Sequence, residues 1–346
     1  MDTIKTIKPD RIDFIDLAKG ICIILVVAYH CGLGGLIPGD KQLRMPLYFV
    51  LSGLFFKDYG KESLTKKINK LLIPYVTFYI LGDLFYWGAF KLGALPSSPK
   101  SIPIIDIFIG GVPSNMPIWF LLCLFNCYTI FLFIKRISKN ELQIGILSIL
   151  SGMIGVGLYY FEPTFPMFFI NSAFSSLPFF YLGYILKKHN VLTSKKNKIT
   201  SFVAGGVMYC VSVCFIVFCP DSKLSVFDNI FHGNIIVGYI VSSLLVLSIM
   251  FVCKSIKRLP YVSYIGRYSI VILLIHVPIM DMMYYIQRAY FHYEANWLRF
   301  LLTLLLSSLL IPLMIKKLPY VTAQKDLLTY GRLKRLQSIN LYFKLH

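Results

Sequence analysis

The chain holds 346 residues, of which 57% are hydrophobic and only 15% charged, against about 25% charged in soluble domains. So much apolar surface cannot be hidden in a water-soluble fold, and a disordered chain is excluded by the same composition. The net charge of +19 comes from short Lys and Arg clusters set between apolar runs, with no basic groove interleaved with aromatics, so no nucleic-acid partner is expected.

Ten apolar stretches long enough for helices follow one another, at approximately 14–38, 42–56, 71–92, 114–134, 142–161, 166–186, 199–219, 233–253, 268–287 and 297–315. The fold class they predict is all-α, a polytopic membrane bundle of about ten transmembrane helices. No cleavage pattern precedes the first stretch, which is read as retained. The second is short between Arg44 and Lys57, so it either starts before Arg44 or is broken inside the bundle.

If the spans alternate from a cytoplasmic N-terminus, the basic clusters at 57–70, 135–139, 187–198, 254–267 and 316–344 all fall inside. Only scattered residues such as Lys41, Arg44 and Lys223 fall outside. That asymmetry predicts N-in and C-in, in the inner (cytoplasmic) membrane with several passes. Residues 1–315 then form one transmembrane domain and 316–346 a basic cytoplasmic tail, read as an interfacial helix on anionic lipid. The loop at about 93–115 carries the apolar run Ile102–Ile109 and reads as a lid, an interfacial segment or a plain connector.

The eight cysteines lie almost all inside apolar runs, without CxxC or Cys/His ligand spacing. Neither a disulfide framework nor a metal site is expected.

Ionisable groups inside apolar stretches are costly and therefore informative. Asp16, Lys19 and His30 lie in the first stretch, and at 100° per residue Lys19 and His30 are about 20° apart around the helix. Eleven residues separate them, roughly 16–17 Å along the axis, so Lys19 is placed at the inner interface and His30 inside the membrane. The plainer readings are a Lys19 that snorkels to headgroups and a His30 bonded to a neighbouring helix. His276 is a second embedded histidine, sharing its helix face with Ser269 and Gln287; a ring satisfied by a backbone carbonyl or Ser is its plain reading. Lys66, Lys67 and Lys70 precede the third stretch, where the positive-inside rule alone explains lysines.

Taken in order, these residues resemble acyltransferase family 3, integral-membrane enzymes that O-acylate sugars and other extracytoplasmic acceptors. The marks are Lys19-x10-His30, the segment PheValLeuSerGlyLeuPhePhe at Phe49–Phe56, and Lys67-x-x-Lys70 before LeuLeuIleProTyr. TrpPheLeu at 119–121, ProPhePheTyrLeuGlyTyr at 178–184 and IleGlyArgTyrSer at 265–269 with His276 complete the set. The family often has Arg in the basic positions; Lys at 19, 67 and 70 keeps the charge without the planar fork. No appended hydrolase-like domain of the kind some members have is expected from these 346 residues.

The resemblance implies an enzyme that moves an acyl group, usually acetyl from acetyl-CoA, to a carbohydrate or glycolipid hydroxyl. Acetyl-CoA would be a donor substrate, with no resident cofactor. Lys19, Lys67 and Lys70 are assigned to the CoA phosphates. His30 is the general base or transient acyl carrier, with His276 as its catalytic companion. Ser52, Trp119 and Ser269 are assigned to substrate, with Ser52, Ser269 or His276 orienting the acceptor or meeting the oxyanion. The bilayer and the glycan are the expected partners, and assembly into a homo-oligomer stays open. The main rival reading is a glycolipid or oligosaccharide transporter or flippase, whose usual internal repeats are not found between residues 1–170 and 171–346.

Overall fold

Glycine decides where the first helix stops. In the computed structural model, which describes residues 13–93, 114–161, 167–192, 197–227, 229–291 and 295–330, α1 runs Asp13–His30. Gly32 then takes a φ of 82°, its N–H donates to the Tyr29 carbonyl, and the Leu33 N–H reaches back 2.9 Å to the Ala28 carbonyl. This is the left-handed cap that closes helices by satisfying their last carbonyls. It ends α1 well before the apolar run does, and so leaves His30 in the final turn.

Helix α2, Asp40–Leu54, starts before Arg44 and carries it in its second turn. The third element, α3, spans Gly60–Lys91 and changes pitch on the way. A 3₁₀ turn Gly60–Glu62 and a short α-turn Ser63–Lys67 lead into a π-turn Ile68–Leu72, and α-helix resumes over Ile73–Lys91. Then come α4 (Met116–Ile137), α5 (Glu141–Phe161), α6 (Ile170–Lys188) and α7 (Lys198–Phe218). After α8 (Ile235–Ile256) and the short α9 (Pro260–Arg267), α10 covers Ser269–Ile286 and α11 Asn296–Lys317.

Each of the ten predicted stretches thus contains a helix. Among the described residues seven helices are long and apolar enough to cross a membrane: α3, α4, α5, α7, α8, α10 and α11. Helix α1 carries Asp13, Asp16 and Lys19, and α2 has only 15 residues. One departure from an all-helical chain is a small antiparallel hairpin between α7 and α8, β1 (Lys223–Ser225) with β2 (Ile230–His232), in which Leu224 faces Phe231. Strands of three residues are too short to show a period-two pattern.

Two glycine crossings hold the centre. Without a hydrophobic effect between helices in lipid, close backbone approach supplies the packing. A Cβ on Gly53 of α2 would sit 1.8 Å from the Phe180 carbonyl oxygen of α6, and a Cβ on Gly183 of α6 would sit 1.8 Å from that of Val50 on α2. The same reciprocal arrangement joins α1 to α9, where Gly20 faces the Val262 carbonyl and Gly266 that of Asp16.

The expected lid, residues 102–109, lies outside the described residues. Of the tail expected as an interfacial helix, residues 318–329 are turns. The Asn69 side chain clasps them. Its Oδ1 accepts from the Leu327 and Leu328 N–H groups at 2.8 and 2.7 Å, and its Nδ2 donates to the Leu328 carbonyl at 2.8 Å. The remainder of the tail, 331–346, lies outside the described residues.

Candidate active site

His30 leaves the last turn of α1 and packs against His276 of α10, with ring centroids 5.3 Å apart and planes tilted by 58°. His276 is fully buried. Its Nδ1 lies 2.8 Å from the Ile272 carbonyl and 3.1 Å from that of Leu273. A carbonyl only accepts, so Nδ1 carries the proton, and in the neutral ring Nε2 is a bare acceptor. That Nε2 has no hydrogen-bond partner. The plain reading of His276 as a ring satisfied by its own backbone therefore holds for one nitrogen and fails for the other. Because Nε2 has no proton to give in this tautomer, an oxyanion-donor role does not fit it.

Proline fixes this part of α10. Pro278 has no N–H to give to the Leu274 carbonyl one turn back, and Asn115 supplies the missing donor from its Nδ2 at 2.7 Å. On the other ring's side, Arg299 of α11 donates from Nη2 to the carbonyl of Cys31 at 2.9 Å, directly after His30.

His30 opens on a cavity of about 650 Å³ that Trp119, Tyr29, Arg44, Met116 and the β1–β2 hairpin also line. Trp119 packs on Phe169 and Phe227, with ring centroids 5.4 and 5.0 Å away. The sequence-predicted Trp119 and His30 are thus brought together.

The three predicted lysines converge elsewhere. Lys19, Lys67 and Lys70 line a second cavity of about 310 Å³, together with Ser52 and Ser269. The π-turn turns Lys70 and Asn69 to their places, and Ala323 of the clasped tail closes part of the wall. Lys67 lies over the Tyr128 ring, 4.5 Å from its centroid, and Lys19 over Phe55 at 5.4 Å; such contacts hold a cation in an apolar wall. Ser52 and Ser269 therefore stand with the lysines and not with His30.

The two cavities share three helices. Helix α1 gives Lys19 to one and His30 to the other, α2 gives Ser52 and Arg44, and α4 gives Leu121 and Trp119. The lysine cavity's wall also holds Tyr48 and Phe120, whose rings are 5.5 Å apart. The Tyr48 hydroxyl lies 3.5 Å from the Lys19 carbonyl, to which it donates.

Sequence reasoning missed Arg44, Tyr48 and Asn115. Arg44 carried a usable signal, since a charge inside a helical apolar run needs a reason; counting it with the scattered basic residues outside the spans hid it. Asn115 gave none, because its task is set by a proline more than a hundred residues away.

The model of a family described as an acyltransferase domain matches residues 12–316 of the chain. The chain belongs to the acyltransferase 3 family. No curated protein and no solved structure matches it. The matched span takes in the whole lining of the histidine cavity, all of the lysine cavity's lining but Ala323, both histidines and both glycine crossings, and it ends within α11. This member of the family is a multi-pass membrane acyltransferase.

Four of the family-like segments meet at the glycine crossings. PheValLeuSerGly on α2 meets ProPhePheTyrLeuGly on α6 through Gly53 and Gly183. LysGlyIle on α1 meets IleGlyArg on α9 through Gly20 and Gly266. Each crossing sets a cavity-lining residue next to a packing residue, Ser52 beside Gly53 and Lys19 beside Gly20.

Proposed function

We propose that this acyltransferase 3 protein takes an acyl group, acetyl foremost, from cytoplasmic acyl-CoA and transfers it to a hydroxyl of a carbohydrate or glycolipid on the far side of the membrane. The observation that carries the reading is the pairing of a lysine-lined cavity with a histidine-lined one on the same three helices. Lys19, Lys67 and Lys70 would neutralise the donor's phosphates, beside the N-terminal half of α1. The thioester arm would then lead along α1, α2 and α4 past Tyr48 and Phe120 toward His30.

At the far end His30 takes the proton of the acceptor hydroxyl as its oxygen attacks the thioester carbonyl. The C–S bond breaks, and the CoA thiolate leaves and receives the proton from the imidazolium. In the alternative course His30 itself attacks, carries the acyl group, and passes it to the hydroxyl in a second step. His276 has its Nδ1 committed to two carbonyls, and its Nε2 lone pair would accept a hydrogen bond from His30 and select that ring's tautomer. Trp119 offers an apolar face to the sugar.

The test is the purified protein in lipid vesicles with labelled acetyl-CoA on one side and a membrane glycan extract on the other. Label recovered as ester in the glycan fraction supports the reading, and ping-pong kinetics would select the acyl-histidine course. Glycan crossing the bilayer with no label attached would favour the transporter instead.

A further inference from the structure

The histidine cavity contains a cation that the transfer chemistry does not use. Arg44 of α2 lines it at only 7% exposure. Its Nε donates to the Asp40 carbonyl at 3.2 Å, and one face of its guanidinium covers the Tyr29 ring at 4.0 Å from the centroid. Among the described residues no carboxylate forms an ion pair with it. Asp40 is the only acid on the described cavity wall, and its Oδ2 accepts from the Gly35 N–H at 3.0 Å. Lys41 and Lys223 line the same wall and add positive charge.

A largely buried guanidinium with no carboxylate in ion-pair contact is costly. With Nε committed and one face stacked, the Nη edge is what remains, and that edge pairs in parallel with the two oxygens of a carboxylate or phosphate. The Tyr29 ring that carries Arg44 stands edge-on to His30, centroid to centroid 5.4 Å. One aromatic ring, about the width of a sugar ring, therefore separates the guanidinium from the imidazole.

We infer that the acceptor is an acidic carbohydrate, whose carboxylate or phosphate ester is gripped by Arg44 while a hydroxyl of the same sugar meets His30. This rests on the acyl-transfer reading of the cavity and names the substrate class within it. Arg44 is then the residue that discriminates charged from neutral acceptors, and Trp119 supplies the apolar face on which both kinds would lie.

The probes are methyl glucuronide, glucose 1-phosphate and the neutral methyl glucoside. Binding to the protein in lipid nanodiscs is measured by calorimetry, and acetyl transfer from labelled acetyl-CoA is measured on the same samples. The charged probes are expected to bind about tenfold to a hundredfold tighter than the neutral one, the effect of a charge-assisted hydrogen bond. Whichever of the two binds tighter identifies carboxylate or phosphate as the natural group. Arg44→Gln should erase the preference, and Arg44→Lys, which keeps the charge and tests the site should the first variant fail to fold, should retain only part of it.

Equal affinity for charged and neutral probes in the wild type, or a preference that survives Arg44→Gln, overturns the inference. Arg44-dependent binding without any acetyl transfer would leave the acid-reading site standing and remove the transferase reading. Acetyl transfer indifferent to Arg44 would do the reverse.

Discussion

Arg299 on α11 and Cys31 at the end of α1 are joined by a 2.9 Å hydrogen bond from Nη2 to a carbonyl oxygen, next to His30. The same Nη2 also donates to the Asn296 side chain at 2.8 Å. Replacing Arg299 with Ala frees the carbonyl and the chain segment that aims the imidazole. The expected result is a fall in kcat of about tenfold, from a modest misplacement of a positioned base, with little change in the KM for acetyl-CoA. Steady-state kinetics check this; a KM that rises while kcat holds would place Arg299 on the donor side instead.

The glycine crossing of α2 and α6 gives a stability prediction. A Cβ at Gly53 or Gly183 would fall 1.8 Å from a backbone oxygen, so the helices must separate to admit it. Gly53→Ala or Gly183→Ala should each destabilise by at least the ~1–3 kcal/mol typical of overpacking. Thermal unfolding in detergent should show it, and unchanged midpoints would mean that the crossing is looser than described.

Asn69 makes a prediction about the tail. Three hydrogen bonds from one side chain hold residues 327 and 328 beside the lysine cavity. Asn69→Ala should release the turn segment, freeing the backbone around the already exposed Lys325 to fit trypsin and speeding cleavage there relative to other sites. Cleavage at the wild-type rate would show that the segment is held by its other contacts.

Asp58 sits in the connection between α2 and α3, where hydrogen bonds from Arg136 at the end of α4 draw its carboxyl down to about 2. A carboxyl lowered by folding stabilises the fold above its ordinary value near 4, and the contribution is lost as pH falls through its folded value. Both side chains are solvent-accessible, so the effect is small. Asp58→Asn should unfold at a slightly lower temperature than wild type at pH 7, with the gap closing between about pH 4 and pH 2. A gap that widens in acid would contradict the pairing.

Helical content, the family and the Lys67–Lys70 pair were legible in the sequence because each rests on local pattern, whereas the convergence of that pair with Lys19 was not. Apolar length marks a helix, and Lys67 and Lys70 fall three apart, on one side of a turn. The grouping of His30 with Trp119, and of Ser52 and Ser269 with the lysines, was not legible, since it depends on which helix ends face each other. The end of α1 was misread because apolar residues continue past Gly32, whose left-handed conformation overrides them. The hairpin at 223–232 was missed because its strands are too short for a periodic signal. Of the Pro278–Asn115 link, only the proline's need for a donor could be read in advance.

The proposed function turns on His30, which would carry the acyl group or take the acceptor's proton. The most direct measurement is acetyl-ester formation from labelled acetyl-CoA by wild-type and His30→Ala protein, reconstituted at equal amounts and with matching thermal unfolding. The variant should bind acetyl-CoA with unaltered affinity at the lysine cavity and form no ester above background. Ester formed by His30→Ala at the wild-type rate would contradict it.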